Sequence, residues 1–331
     1  MIREPRPAHP AHLAGSVQFA PHDEPAHPIR TVHPDAPAAP WYPEGMATAP
    51  ILDREEYVEQ SYFFRLFRER MADNVPAQDV LQRAHEEVLT STRLPYAIQF
   101  LGTEMKHTGL LANGFAKLPH YFTPYQSFVI RQAEQQGSRF PMPTALLVLE
   151  REAAYKADGP TKPGLFVYQF EAIARNRLGY VEGIGAMAAD PHYDADWKAY
   201  VETVRRQVGV IDFADIVFLR SDLYVTEQRR GNPSYVPPVP PLFGEKEGKI
   251  ARASRGRDPL YLFAALQRQL GYPQVPRYTQ RDDLATKFEA IQKKLKELEM
   301  RLRLAEGELR GSIDLSQFGK PDILKDDEDE T

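Results

Sequence analysis

The chain has 331 residues, 42% of them apolar and 26% charged, so it can bury a sizeable core in one large domain or two small ones. Its net charge of −5 argues against general nucleic-acid binding, which needs a basic surface. With no cysteine, it has no disulfide, thiolate nucleophile or Cys-ligated zinc, which fits a reducing compartment.

No apolar run approaches the roughly 18–20 residues needed to span a bilayer. The first residues, MIREPRPAHPAHLAG, contain no apolar stretch of secretory-signal type, so a cytoplasmic protein is expected. Residues 1–50 hold 11 of the 29 prolines and read as a disordered Pro/His-rich arm. Their histidines, His9, His12, His22, His27 and His33, match no ligand spacing. No metal or cofactor is expected there or elsewhere.

Order should begin near Asp53, as an N-cap with Glu56 in capping-box position. Tyr57, Phe64, Phe67 and Met71 then share one helical face. Asn74-Val75-Pro76 breaks this helix, and Pro76 suits the first position of the next, which buries Val80, Leu81, Ala84 and Val88. Pro95 opens a third helix, with Ile98, Leu101 and Met105 inward and Gly109 at its end. A short helix over 111–118, a corner over 119–124, a helix over 125–135 closed by Gly137 and a sixth over 143–156 complete a six-helix bundle within 51–158.

The segment 158–164, DGPTKPG, has linker composition and should separate the bundle from a second small α or α+β domain over 165–230. There, Trp197, Tyr200, Val201, Val204 and Val208 mark an amphipathic helix over 194–208. The β-branched and aromatic run 214–225 has strand character. Residues 231–257 form a Pro-rich, then basic linker, followed by a short helix over 258–272 that starts at Asp258-Pro259 and stops at Gly271.

The last element is the clearest. Leu284, Phe288, Ile291, Leu295, Leu298, Leu302, Ala305 and Leu309 are spaced alternately by four and three. That is a coiled-coil seam of about four heptads over 281–310, with Lys, Glu, Arg and Gln flanking it. The chain should therefore self-associate or zipper with a partner. Residues 311–331 are an acidic tail.

No catalytic motif emerges. Gly179, Gly183 and Gly185 lack the order of a phosphate-binding fingerprint. Glu104 and His107 sit three apart, as in di-iron bundles, but there is no second Glu-x-x-His and they read as a surface pair. Asp212, Asp215 and Asp222 near Arg220 could hold a divalent metal for a hydrolytic enzyme, the alternative to a binding protein. An Arg220–Asp222 ion pair is the plainer use of these residues. The basic run 246–257, with Lys246, Lys249, Arg252, Arg255 and Arg257, has no interleaved aromatics to stack on bases.

One family shares the order of corners in residues 60–156. The phenylalanines of 63–67, the turn Met71-Ala72-Asp73-Asn74-Val75-Pro76, Arg93-Leu94, and then Leu111, Phe115, Pro119, Phe122, Glu134 and Gly137 follow in sequence. This resembles the cytoplasmic domain of the inner-membrane platform proteins of type II secretion and type IV pilus machines, the GspF/PilC family. The departures are Asn74 for a family Gly, Gly114 for Ala, Ala133 for the first Gly of Gly-Glu-x-x-Gly, and Gly109 one place late. Asn is the residue after Gly that best accepts a left-handed turn, so the first departure can keep the geometry. The resemblance covers less than a third of the chain. The platform's transmembrane helices and second domain copy have no counterpart, so the chain is not expected to be the membrane platform itself. The resemblance implies a helical bundle that docks other protein components of such an assembly, including its ATPase. A non-enzymatic scaffold is the resulting expectation.

Overall fold

Residues 54–72 form α1 (Arg54–Ala72) along the face that the apolar spacing marks out, with Tyr57, Phe64 and Phe67 buried. The computed structural model describes residues 50–278, 288 and 291–303. Apart from Pro50, the expected arm lies outside the described residues, as do the acidic tail and Leu284, Ala305 and Leu309. The described residues belong to one compact unit and are mainly helical.

The next five helices are α2 (Ala77–Glu87), α3 (Leu94–Thr108), α4 (Leu111–Lys117), α5 (Pro124–Glu134) and α6 (Met142–Ala157). α1 lies along α6, α2 packs on α3, and α4 packs between α3 and α5. Local chemistry sets their ends. Asn74 takes a left-handed φ of 62° at the α1–α2 turn, and Pro76 stands one place before the first residue of α2. Gly109, at φ 72°, terminates α3 and donates its N–H to the Met105 carbonyl at 2.9 Å. Thr123 and Gln126 form a reciprocal capping box at the start of α5. By contrast, Asp53 makes no side-chain cap, and its expected partner Glu56 turns inward instead. Gly137 has φ 75° but lies two residues beyond the C-cap, Gln135, in a turn rather than at the cap itself.

Residues 158–161 form a short turn, and 162–164 already belong to the next helix. Thr161 caps α7 (Lys162–Asn176), its Oγ1 accepting from the Gly164 N–H at 3.2 Å. Tyr168 on α7 donates to the Val148 carbonyl of α6 at 2.7 Å, with both groups buried. α8 (Tyr180–Ala188) lies on α5 and α7, and Gly183 makes this approach possible. A Cβ there would stand 2.7 Å from Ile173 Cδ1 and 2.9 Å from the Phe128 ring. Gly183 is thus a packing residue, not part of a phosphate loop. α9 (Ala195–Gln207) is capped by Asp194 and buries Trp197, Tyr200, Val201 and Val204, as its spacing requires.

The expected strand over 214–225 is instead two helices, α10 (Phe213–Leu219) and α11 (Asp222–Gly231). Each has a side-chain cap: Asp212 accepts from Ala214 N–H, and Ser221 accepts from Tyr224 N–H. Among the described residues there is no strand, and two isolated bridges, Val208–Ile211 and Ser221–Phe243, are the nearest to one. The Pro-rich connector is pinned by Phe243, which is buried against Phe166, Trp197 and Tyr200. The Arg220 carbonyl accepts from both Leu242 and Phe243 N–H. The basic half of that connector is α12 (Glu245–Ala253), which packs on α10 and α11.

α13 (Pro259–Leu270) follows the expected signals closely, with Asp258 as N-cap and Gly271, at φ 70°, as C-cap. Beyond it the chain runs back along α7. Tyr272 is buried and its hydroxyl donates to Glu171 Oε2 at 2.7 Å. Asn176 donates to the Pro276 carbonyl at 3.0 Å and accepts from Tyr278 N–H at 3.3 Å. Residues 291–303 are helical, with Ile291, Leu295, Leu298 and Leu302 exposed.

Candidate functional site

The platform-like residues are placed at corners. Phe115 stacks on Phe122 with centroids 4.1 Å apart and on Phe64 at 6.3 Å, all three buried. Glu134, from the end of α5, accepts from the Leu111 and Ala112 N–H groups at 2.7 and 2.9 Å. It thereby satisfies two orphan donors at the start of α4. Leu111 is buried, Pro119 is half-buried, and Asn74 and Gly137 supply left-handed turns. Two further glutamates act in the same way. Glu59 accepts from Leu89 N–H at 2.9 Å, and Glu56 accepts from Arg93 N–H at 2.9 Å and the Tyr121 hydroxyl at 2.8 Å. Burial next to the Glu56 carboxylate pushes the Tyr121 hydroxyl far above its ordinary range, so it stays a donor.

The carboxylates considered for a metal are each engaged separately. Asp212 spends one oxygen on Ala214 N–H and the other on Gly256 N–H, each at 3.0 Å. Asp215 pairs with Arg255, whose guanidinium also lies 4.2 Å from the Phe218 ring centroid. Asp222 is exposed in the first turn of α11. Arg220 does not make the expected ion pair with Asp222. Its guanidinium lies over the Tyr200 ring, 5.3 Å from the centroid. Among the described residues, no group of three or more His, Asp or Glu side chains could hold a metal ion. Glu104 pairs with Lys117 at 2.5 Å, apart from the exposed His107.

The basic run 246–257 is largely neutralised at home. Lys249 pairs with Glu245 at 2.7 Å, Arg252 with Glu227, and Arg255 with Asp215. No uninterrupted basic stripe is left to follow a phosphate backbone.

Sequence reasoning missed a charged cluster in the core. Lys156 of α6 bonds Asp190 at 2.7 Å and Glu152, one turn earlier, at 3.0 Å, and all three side chains are 0% exposed. Gln169 of α7 bridges the carboxylates, donating to Glu152 at 2.7 Å and to Asp190 at 3.1 Å. Tyr193 donates to Gln169 Oε1 at 2.8 Å, and His192 closes on Asp190 with its ring nitrogen at 3.0 Å and its N–H at 3.1 Å. Glu152 Oε2 has no hydrogen-bond partner. Burial pushes Glu152 up, and Lys156 only partly offsets this while Asp190 adds to it. Burial would also raise Asp190, but Lys156 and the His192 hydrogen bond outweigh it and hold Asp190 well below the carboxylate range. For Lys156, the two carboxylates outweigh burial and keep it charged. Lys156 and Asp190 therefore form the ion pair, and Glu152 carries the strain of a second negative charge. The cluster ties α6, α7 and the α8–α9 turn together and is closed to solvent. Its signal was present: Glu152 and Lys156 follow Val148 at successive intervals of four, in line with the buried stripe of α6.

A groove of about 420 Å³ lies at the surface among α7, α8, the α9–α10 turn and α13. Phe170, Phe213 and Phe263 line it, the first two stacked at 4.1 Å. Its charged residues are already occupied: Asp212 and Asp258 cap helices, and Arg175 pairs with Glu171.

The remaining feature is the C-terminal seam. Phe288, Ile291, Leu295, Leu298 and Leu302 are between 54% and 63% exposed, at the spacing of a coiled coil. No helix among the described residues is long and apolar enough to cross a membrane. No family model matches the chain, and no curated protein or solved structure is significantly similar to it.

Proposed function

We propose that the protein is a non-enzymatic scaffold that docks other proteins through its helical body and self-associates through a C-terminal coiled coil. α1–α6 serve in this reading as a six-helix bundle of platform type, and 281–310 as a coiled coil of about four heptads. The observation that carries it is the seam. Five large apolar side chains, each more than half exposed, repeat at alternating intervals of three and four, and the positions between Ile291 and Leu302 are mostly charged. Such a stripe costs hydration unless another helix covers it. The body buries most of its aromatics, and the carboxylates Asp212 and Asp215 are each engaged separately, which suits a rigid docking surface better than a catalytic centre. The left-handed Asn74 and the Glu134 clamp on α4 support the platform resemblance, which directs the docking role toward a secretion- or pilus-type assembly.

Light scattering of the full chain tests the reading. A discrete oligomer is expected, and changing Ile291, Leu295 and Leu298 together to Gln should make it monomeric. An unchanged mass would overturn the coiled coil and the scaffold role built on it.

A further inference from the structure

We infer that the seam pairs with a second copy of this chain in parallel and in register. This rests on the self-association reading and goes beyond it by fixing the orientation of the partner. The intervals place Phe288, Leu295 and Leu302 at the a positions of the heptad, and Ile291 and Leu298 at d. The flanks then separate by sign. Lys294 and Arg301 occupy g, and Gln292 and Glu299 occupy e. The sequence continues the pattern with Lys287 at g and Glu306 at e, until Glu308, at g of the last turn, departs from it.

In a parallel pair, each g residue faces the e residue of the following heptad on the partner helix. Lys294 then meets Glu299 of the second copy and Arg301 meets its Glu306, and each contact occurs twice by symmetry. In an antiparallel pair, g faces g and e faces e. Lys and Arg would crowd Lys and Arg along one flank, and Glu would crowd Glu along the other. In the single chain Arg301 pairs with Glu297, one turn earlier and 2.8 Å away, and is still 73% exposed. That local pair occupies one nitrogen and leaves the guanidinium open to a second carboxylate.

The chain has no cysteine, so single introduced thiols report pairing without background. Ile291→Cys and Leu302→Cys are made separately in the full chain and oxidised, alone and as an equimolar mixture. Each variant should cross-link to itself, and the mixture should give no product joining 291 to 302, the d-to-a pair that an antiparallel arrangement centred between Leu295 and Leu298 would bring together. A product joining 291 to 302, without self-cross-linking, would overturn the parallel orientation and leave self-association standing. A monomeric wild-type chain would overturn both.

Charge reversal is the second measurement, and it decides the matter if a cysteine weakens the pairing. Lys294→Glu with Arg301→Glu should raise the dissociation constant at least about tenfold at low salt, because it sets Glu against Glu in the parallel arrangement. An unchanged or lower dissociation constant would overturn the proposal, since an antiparallel pair exchanges one like-charge flank for another.

Discussion

The Lys156 ammonium stands 2.7 Å from the Asp190 carboxylate, with neither side chain exposed to solvent. Removing one member of such a pair strands the other in a low-dielectric interior. Lys156→Met should therefore cost about 3–5 kcal/mol of unfolding free energy, as measured by urea denaturation. Glu152→Gln should cost far less, because Gln keeps an acceptor for Gln169 and relieves the unpaired buried charge. Equal losses for the two variants would mean that Glu152, not Asp190, is the partner of Lys156.

The same cluster gives a pH dependence with opposing signs. Asp190 is held below its ordinary value, so its contribution is present above about pH 4 and is lost as pH falls through its lower folded value. Glu152 is raised, so folding takes up a proton there and its contribution declines as pH rises from about 4.3 toward the folded value. Denaturation midpoints measured across this range should fall less with rising pH in Glu152→Gln than in the wild type. Asp190→Asn should show the opposite, losing the acid-side decline. Parallel curves for all three proteins would contradict the charge assignment.

Glu134 spends both carboxylate oxygens on the first amides of α4. Glu134→Ala should cost about 2 kcal/mol, within the range for losing a helix cap made by a charged acceptor. Glu134→Gln, which has one carbonyl oxygen, should fall between Ala and the wild type. Amide exchange at Leu111 and Ala112 should rise in the same order. If exchange there is unchanged, the clamp does not hold α4.

Gly183 and Gly179 lie in the same stretch, but their surroundings differ. A methyl group on Gly183 would press on Ile173 and Phe128, whereas one on Gly179 meets open space. Gly183→Ala should cost about 1–3 kcal/mol through overpacking. Gly179→Ala should leave thermal stability nearly unchanged. Similar melting temperatures for the two variants would show that α8 can shift away from α5 and α7.

Much of the helical order is legible because single residues mark it. Asp194 and Asp258 cap where their positions say they should, and Gly109 and Gly271 end helices at left-handed φ. The strand expected over 214–225 fails for a physical reason. α10 has seven residues, fewer than two full turns beyond its cap, so a 3.6-residue period cannot show against its β-branched composition. The caps Asp212 and Ser221 were the better signal. The basic run misled in another way, because its neutralising partners Glu227 and Asp215 come from other helices. The core cluster is harder still. Glu152 and Lys156 look like a surface pair at helical spacing until Gln169 and Asp190 close over them.

The return of the chain along α7 after Gly271 has a mechanical consequence. Residues C-terminal to Tyr278 lead to the seam, so if two copies pair there as proposed, a pull between them enters each body at that end. Asn176 grips Tyr278 and Pro276, and Glu171 holds Tyr272, before the strain reaches the backbone of α13. All three grips are anchored on α7, the helix that also carries Gln169 of the core cluster. In such a pair, tension on the tail would pass to α7, which buries ten of its residues, before it could peel away α13.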